Sequence, residues 1–411
     1  MLFDAAPDSL LQMNIAILSD HFLPQIGGGE FIVHYWAEGL AKRGHQVVVP
    51  TLRPINQSED QGMRFSYSVD RSAQIPYAYT LSRLIQLYRI HHNFKLDIVH
   101  ANFIYPAGRI GTLIQRWLGV PCVVSGQGSD ILVYEPLQYG NLLNPEVLRK
   151  TKKVLTQAAG LIFNCDRVKD RFAELGASPD RMYNLYNGTS LDKMKSDQRA
   201  ILRTRYGIGS ADVVFITVCR HSPIKGLHVL LEAVRILKDH KTPFKVMLVG
   251  PRVEKLRNAV KENGIEERIL IVGELPLEVD TSSQIPNMPS QAVVDHLFAS
   301  DVFISPSLSG TFELSASDAM AAGRAIIVSD NIGNKDVVEN GTNGFVFANG
   351  DAQELAGVMK VMLDNPSGIQ GMGDKNRELA KTLDWNYLSG ELESIYRKVI
   401  MRWRSEKGNM S

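Results

Sequence analysis

Residues 213–250 read VVFITVCRHSPIKGLHVLLEAVRILKDHKTPFKVMLVG. VVFITVC (213–219) is an apolar run of strand length, LHVLLEAVRILKDH (227–240) carries apolar residues at helical spacing, and FKVMLVG (244–250) is a second apolar run. Strands that are apolar on both faces, joined through a helix, form a parallel sheet covered by helices. Between the first strand and the helix stands RHSPIKG. Arg220 falls just past the strand end, and Lys225 follows five residues later, before Gly226. A guanidinium fork and a point charge beside a helix start suit a diphosphate. A solvated loop with stray basic residues is the competing reading, and this segment alone does not choose between them.

The same rhythm runs outward in both directions. Upstream, MNIAILSD (13–20), FIVHYWAEGLAKRGH (31–45) and QVVVPTL (46–52) read as strand, helix and strand. TLSRLIQLYRIHH (80–92), DIVHAN (97–102), GRIGTLIQRWLG (108–119), PCVVSGQ (121–127), a helix around 145–158, GLIFNC (160–165) and DRVKDRFAELG (166–176) continue the alternation to RMYNLYNG (181–188). After LYNGTSLDKM (185–194) the pattern restarts at 213. It runs on through VEKLRNAVKENG (253–264), ERILIVG (267–273), SQAVVDHLFASD (290–301), VFISPS (302–307), SASDAMAAG (315–323), AIIVSD (325–330) and GFVFANGD (344–351), with helices at 352–364 and 385–404. Two successive sets imply an α/β chain with two doubly wound parallel sheets, hinged near Asn187-Gly188, with ligands in the cleft at the carboxyl ends of the strands. The expected division is a tail at 1–12, a first Rossmann-like domain at 13–187, a second at 188–383, and a terminal helix at 384–411 crossing back to the first. PLEVDTSSQIPNMPSQ (276–291), polar with three prolines, reads as a loop or hairpin facing the cleft.

Composition narrows the function. With 411 residues, 44% hydrophobic and 22% charged, the chain is ordinary for a two-domain globular protein. A net charge of +1 gives no global field for nucleic acid. Cys122, Cys165 and Cys219 show no CxxC spacing, which argues against a disulfide framework or zinc site and fits a reducing compartment. MLFDAAPDSLLQ holds Asp4 and Asp8 and no basic residue, so it does not read as a signal peptide, and cytoplasmic is the default.

Three further segments fall at strand ends. GGGE (27–30) lets a backbone approach a ligand at a helix N-terminus, but it is not GxGxxG. SGQGSD (125–130) offers Gln127 and Asp130 as hydroxyl-binding groups; the competing reading is a turn capped by Asp130. SLSGTFELSASDAMAAG (307–323) runs from a strand end through a small-residue turn into a helix, with Asp318 eight positions after Gly310.

Taken in order, GGGE, the strand-GxD, R-x4-KG, and PS-x-x-GTFELSASDAMAAG resemble the GT-B fold retaining glycosyltransferases of family 4 (glycosyl transferases group 1) over residues 13–400. RGHQVVV (43–49), LYNGTSLDKM and DNIGNKDVVENGTNGFVF (330–347) are similar to further parts of that family. The resemblance implies a transferase that moves a hexosyl group from a nucleoside-diphosphate sugar to a sugar or lipid-linked sugar, with retention and without metal or cofactor. It implies that Arg220 and Lys225 bind and stabilise the leaving diphosphate. Gly28 and Gly29 would face that diphosphate, and the amides of Phe312, Glu313 and Leu314 would cradle phosphate or sugar. Asp318 would hold the ribose hydroxyls, Gly273, Glu274 and Leu275 would contact the base, and Gln127 and Asp130 would face the sugar or acceptor.

The chain departs from the pattern in its sugar-facing groups. The first of the family's two glutamates aligns with Gly310, the second with the shorter Asp318, and a frequent histidine is Gln127; the common glycine after Phe312 is Glu313, which could supply a carboxylate nearby from a different backbone position. These departures motivate an alternative, a non-catalytic relative acting as a partner or regulatory subunit. A GT-B epimerase lacks clear acid or base groups at the sugar carbon. TLSRLIQLYRIHHNFK (80–95) is basic and amphipathic; packing on its own sheet and peripheral contact with the inner face of a membrane are both open to it. Base, sugar, acceptor, linkage and oligomeric state are not written in these motifs.

Overall fold

The computed structural model describes residues 12–52, 62–73 and 78–408. Residues 1–11 of the expected tail lie outside them.

The first sheet is built from β1 (Asn14–Leu18), β2 (Gln46–Leu52), β3 (Ser68–Ser72), β4 (Ile98–Asn102), β5 (Cys122–Ser125), β6 (Gly160–Phe163) and β7 (Met182–Asn184). Its strands lie in the order β3-β2-β1-β4-β5-β6-β7, every pair parallel. The second sheet comprises β8 (Val213–Val218), β9 (Phe244–Val249), β10 (Ile269–Gly273), β11 (Val302–Ser305), β12 (Ala325–Ser329) and β13 (Gly344–Phe347), in the order β10-β9-β8-β11-β12-β13, again all parallel. Both are doubly wound, and strand order reverses between β1 and β4 in one sheet and between β8 and β11 in the other. Crevices open beyond the strand ends at such reversals, because neighbouring connections depart to opposite faces of the sheet. The segments that follow β1, β4, β8 and β11 are therefore the ones that line the cleft.

Each sheet is buried on both faces, as continuous apolar strands require. Phe215, Val246, Leu248, Ile304 and Ile327 pack under one layer of helices; Val214, Ile216, Met247, Phe303 and Ile326 pack under the other. This period-two split explains why the strands read as unbroken apolar runs.

The chain crosses between the halves twice, side by side. Thr189 donates its N–H to Leu383 O at 2.9 Å and forms a parallel bridge with Asp384. The helix Trp385–Gly408 then returns to the first half. Trp385, Leu392, Ile395, Tyr396 and Val399 enter the core built on β1 and β2, and Tyr396 Oη lies 2.6 Å from His100 Nδ1 on β4. Tyr387, which shares this helix, faces outward.

The 276–291 segment is a hairpin, with an antiparallel bridge between Val279 and Pro286. It reaches the first half: Arg64 N–H donates to Ser283 O at 2.7 Å, and Ile285 joins the first core. Three elements escape the sequence pattern. The strand β3 is polar (SVDRS), the helix Ser367–Leu379 carries three glycines, and Arg199–Arg205 spans only seven residues. None of them offers a sustained apolar period. The first helix begins earlier than its apolar face suggests, at Gly28 rather than Phe31.

Candidate active site at the paired strand ends

Strand β8 ends at Val218, and a single 3₁₀ turn, Pro223–Lys225, precedes the helix Leu227–Leu237. Gly226 links the turn to the helix at φ +62, where a Cβ would stand 2.0 Å from Pro306 O. Only glycine fits there, and this close approach holds Lys225 against the segment following β11. Arg220 is exposed, with no hydrogen bond or ion pair among the described residues. Lys225 is bound: its Nζ lies 2.5 Å from Glu313 Oε1.

Glu313 is the hub of this corner. Its Oε1 also accepts from Ser307 Oγ at 2.8 Å, and its Oε2 accepts from Ser305 Oγ at 2.6 Å. Both serines stand at the carboxyl end of β11. Burial would raise the Glu313 carboxyl, but the Lys225 charge and these hydrogen bonds outweigh it and hold its pKa below the usual carboxylate range. Burial pushes the Lys225 ammonium downward, and the Glu313 carboxylate reverses that and leaves its pKa raised. Both groups are therefore charged at neutral pH.

The backbone of this turn departs from expectation. The Glu313 N–H, expected to face the donor, donates instead to Asn334 Oδ1 at 2.7 Å, while Asn334 Nδ2 returns a bond to Glu313 O at 3.2 Å. The Phe312 side chain is buried and stacks on Tyr186 at 4.7 Å, and its carbonyl accepts from Asn187 Nδ2 at 2.9 Å. Leu314 begins the helix Leu314–Ala321, and its N–H belongs to the first turn, which lacks partners within a helix. The Leu314 side chain packs toward the first core, and a Cβ on Gly28 would stand 3.6 Å from Leu314 Cδ1. Two helix N-termini, at Gly28 and Leu314, thus meet across the cleft and favour an anion between them. Gly29 is the tighter position: a Cβ there would meet the Phe103 ring at 2.7 Å, so the ring would have to shift.

The first half closes on the same turn. Thr311 Oγ1 donates to Gln127 O at 3.0 Å, and Arg167 Nη1 donates to Gly310 O at 3.2 Å and to Asn331 O. Gln127 stands at the cleft, its Oε1 accepting from Asn164 Nδ2 at 3.3 Å. Asp130 does not join it. That carboxylate is buried and accepts from the N–H groups of Gln127, Gly128 and Ile104 at 3.0, 2.8 and 3.0 Å. Its oxygens are taken by backbone, so Asp130 shapes the Gln127 loop and is not a sugar-binding group. Burial raises its pKa against these three bonds.

Asp318 sits apart from Lys225, on the next turn of its helix, where Thr189 Oγ1 at the inter-domain crossing donates to its Oδ1 at 2.7 Å. Burial pushes its carboxyl up to about 7, against the Thr189 bond and the Lys193 charge. Gly273 ends β10 at φ +90 and accepts from Gly250 N–H at 2.7 Å, while Glu274 is exposed and Leu275 packs on the second core. This group lies two strands from β8, on the outer flank. Sequence reading missed Ser305, Ser307, Asn334, Thr189 and Arg167, all small or polar residues in strand-end segments. Tyr139, from the loop after β5, is a further missed group and lies near Lys225. Among the described residues no cluster of three or more His, Cys, Asp or Glu could hold a metal ion.

Comparison with known proteins identifies the arrangement. The family model described as "Glycosyl transferases group 1" matches residues 212–365, and "Glycosyltransferase Family 4" matches residues 26–193. The chain is a family 4 glycosyltransferase of GT-B fold. Among curated relatives, the D-inositol 3-phosphate glycosyltransferase of Rhodococcus erythropolis is 24% identical over 325 residues, covering 77% of this chain and 71% of that one. Its counterpart from Streptomyces coelicolor is 23% identical over 339 residues, 78% of this chain and 73% of that one. Among solved structures, the sucrose-phosphate synthase of Thermosynechococcus elongatus superposes with a TM-score of 0.77 at 18% identity, covering 95% of this chain and 100% of that one. Anabaena HepE, solved in complex with UDP, gives 0.76 at 19% identity over 94% of this chain and 100% of that one. HepE has also been solved with UDP-glucose. The two curated relatives are named as glycosyltransferases, and HepE carries UDP or UDP-glucose; the glycosyltransferase reading holds and nothing favours the non-catalytic alternative.

Proposed function

We propose that the enzyme is a retaining hexosyltransferase that takes a nucleoside-diphosphate sugar as donor and a sugar or lipid-linked sugar as acceptor. The observation that carries this reading is the corner beyond β8 and β11. There the unpaired Arg220, the charged Lys225 and the N-terminus of the Leu314 helix share one strand-order reversal, opposite the Gly28 helix start. Fixed positive groups of this kind stabilise charge that develops on a departing diphosphate without reorganising during the reaction. In the proposed step the bond from the sugar C1 to the donor phosphate oxygen breaks. The acceptor oxygen bonds to C1 on the same face and gives its proton to a phosphate oxygen. Asp318 accepts from the ribose hydroxyls, the Gly273–Leu275 segment contacts the base, and Gln127 faces the sugar. The step uses no metal.

A thermal-shift screen with UDP, GDP, ADP and CDP tests the donor assignment. Ligand at 100 times its dissociation constant adds about 2.7 kcal/mol to the folded state. The wild type should shift with one of the four, and Arg220→Ala should not. Equal shifts in both proteins would remove Arg220 from the site.

A second surface supports peripheral contact of a cytoplasmic enzyme with the inner face of a membrane. The helix Tyr79–Phe94 buries Arg83, Gln86, Leu87 and Ile90 on its sheet. It leaves Leu81, Ile85 and Tyr88 exposed on one outer stripe, and Tyr88 stacks at 5.3 Å on the exposed Trp117 of the helix Arg109–Leu118. Neither helix contains an acidic residue, while His92, Lys95 and Arg116 flank the stripe; such a face is complementary to anionic lipid. No helix among the described residues is long and apolar enough to cross a membrane. Co-sedimentation with phosphatidylglycerol vesicles should fall when Tyr88 and Trp117 are changed to Ser, and should be weak with phosphatidylcholine. Equal sedimentation of both proteins would remove this surface.

A further inference from the structure

The corner that carries Lys225 holds one carboxylate where the local backbone offers two places for it. Position 310 has no side chain. Glu313, three residues on, turns its side chain back over the turn. A Cβ built on Gly310 would stand 3.3 Å from Glu313 Oε1 and 3.4 Å from Ile332 Cγ2. That is also the distance at which a glutamate's own carboxylate oxygen stands from its own Cβ. A glutamate at 310 could thus put an oxygen on the spot that Glu313 Oε1 now fills. The spot is a made site for a carboxylate, with Lys225 Nζ at 2.5 Å and the Ser307 and Ser305 hydroxyls at 2.8 and 2.6 Å from the two oxygens. The Glu313 backbone is pinned by the fully buried Asn334, so the side chain is aimed by its main chain rather than by chance.

We propose that Gly310 and Glu313 are an exchanged pair, in which Glu313 supplies from a new backbone position the one carboxylate this corner accepts, and acts as a positioning residue that fixes the Lys225 ammonium for the donor diphosphate. The inference rests on the donor-site reading above. It accounts for the missing side chain at 310: with Glu313 in place, a second side chain there is crowded, and a second carboxylate would share one ammonium with the first. It also accounts for the Glu313 amide, which is spent on Asn334 and leaves this residue to act through its side chain.

The charge on Lys225 gives a readout that a purely structural role would not move. The groups facing Lys225 are Glu313 from the β11 turn, Cys219 from the end of β8 and Tyr139 from the loop of the first half. Of the groups facing Lys225, Glu313 is the main counterion to burial, which pushes the ammonium pKa down. Removing the carboxylate should therefore bring the loss of the Lys225 charge, and of diphosphate binding, to lower pH.

The test is a set of four proteins: wild type, Glu313→Gln, Gly310→Glu, and the exchange Gly310→Glu with Glu313→Gly. UDP affinity is titrated from pH 6 to pH 10, with GDP, ADP and CDP beside it, and transfer is followed with the donor that the binding screen selects. Glu313→Gln should weaken diphosphate binding tenfold or more at pH 9, with a smaller loss at pH 6. Gly310→Glu alone should also lose affinity. The exchange should recover most of it and return the alkaline limb to the wild-type position. An exchange protein that folds, as judged by circular dichroism, yet binds no better than the worse single variant overturns the inference. Wild-type affinity and pH profile in Glu313→Gln overturn it as well. Should the wild type bind no diphosphate at all, the donor-site reading falls first and this inference falls with it, so the two failures are told apart in one experiment.

Discussion

Replacing Asp318 with asparagine should make the protein more stable and less able to bind its donor, and the gain in stability should depend on pH. Asp318 is buried, and the environment lifts its carboxyl from 3.8 to about 7. A carboxyl with a raised folded pKa favours the folded state while it is neutral. That contribution is fully present below pH 3.8, declines as the unfolded chain ionises first, and is lost once the pH passes about 7. A rise of about three pH units at about 1.4 kcal/mol each sets the full cost at about 4 kcal/mol above pH 7, and at about 2 kcal/mol near pH 5.5. Asparagine escapes this cost and keeps the one hydrogen bond, since its Oδ1 can accept from Thr189 Oγ1 as the aspartate does at 2.7 Å. The assay is the urea midpoint of both proteins at pH 5.5 and pH 8.5. A two-domain chain need not unfold in one step, so the observable is the difference between the proteins and its growth with pH. Diphosphate titrations at the same pH values give the functional half: wild-type affinity for a nucleotide should rise through pH 7 as Asp318 ionises, and the variant should be weak and flat. An asparagine variant less stable than wild type at pH 8.5, or a stability difference that ignores pH, would refute the account of Asp318.

Three further outcomes follow from contacts elsewhere in the cleft. Gly226→Ala should lose both stability and activity, because a left-handed backbone and a Cβ 2.0 Å from Pro306 O force the Lys225 turn away from β11. The strain is of order 1–3 kcal/mol, read as a lowered thermal midpoint. Asp130→Ala should destabilise the protein by about 3 kcal/mol by leaving one buried and two half-buried N–H groups without their acceptor, measured by denaturation; unchanged stability would return Asp130 to the ligand-binding groups. Arg220→Ala should keep the wild-type midpoint without ligand, since the side chain is exposed and unpaired, while losing the midpoint rise with diphosphate.

Much of this enzyme was legible in its sequence, and the reason is local. Apolar runs such as VVFITVC and FKVMLVG are buried on both faces, so their strand character does not depend on the rest of the chain. Gly226 and Gly29 announce close approaches through the side chain they lack. Arg220 and Lys225 stand where a doubly wound sheet must place its ligand. By contrast β3 and the helix Ser367–Leu379 owe their conformation to neighbours in the fold, and their own residues carry no apolar period to report it.

The sequence by itself determined the two parallel sheets, the cleft between them and the positive charge at its edge, because these follow from periodicity and from residues adjacent in the chain. Tertiary structure alone decided what each carboxylate does. Asp130 was open to holding a hydroxyl or to capping a turn, and it is consumed by three backbone amides, two from its own turn and one from Ile104 on another strand end. Glu313 read as a carboxylate set near the turn from a different backbone position, and the fold makes it the partner of Lys225, 88 residues away. Asp318 is set against Thr189 across the crossing between the halves. A carboxylate's role is fixed by which donors reach its oxygens, and the deciding ones here, Ile104, Lys225 and Thr189, come from segments that only the folded chain brings within about 3 Å.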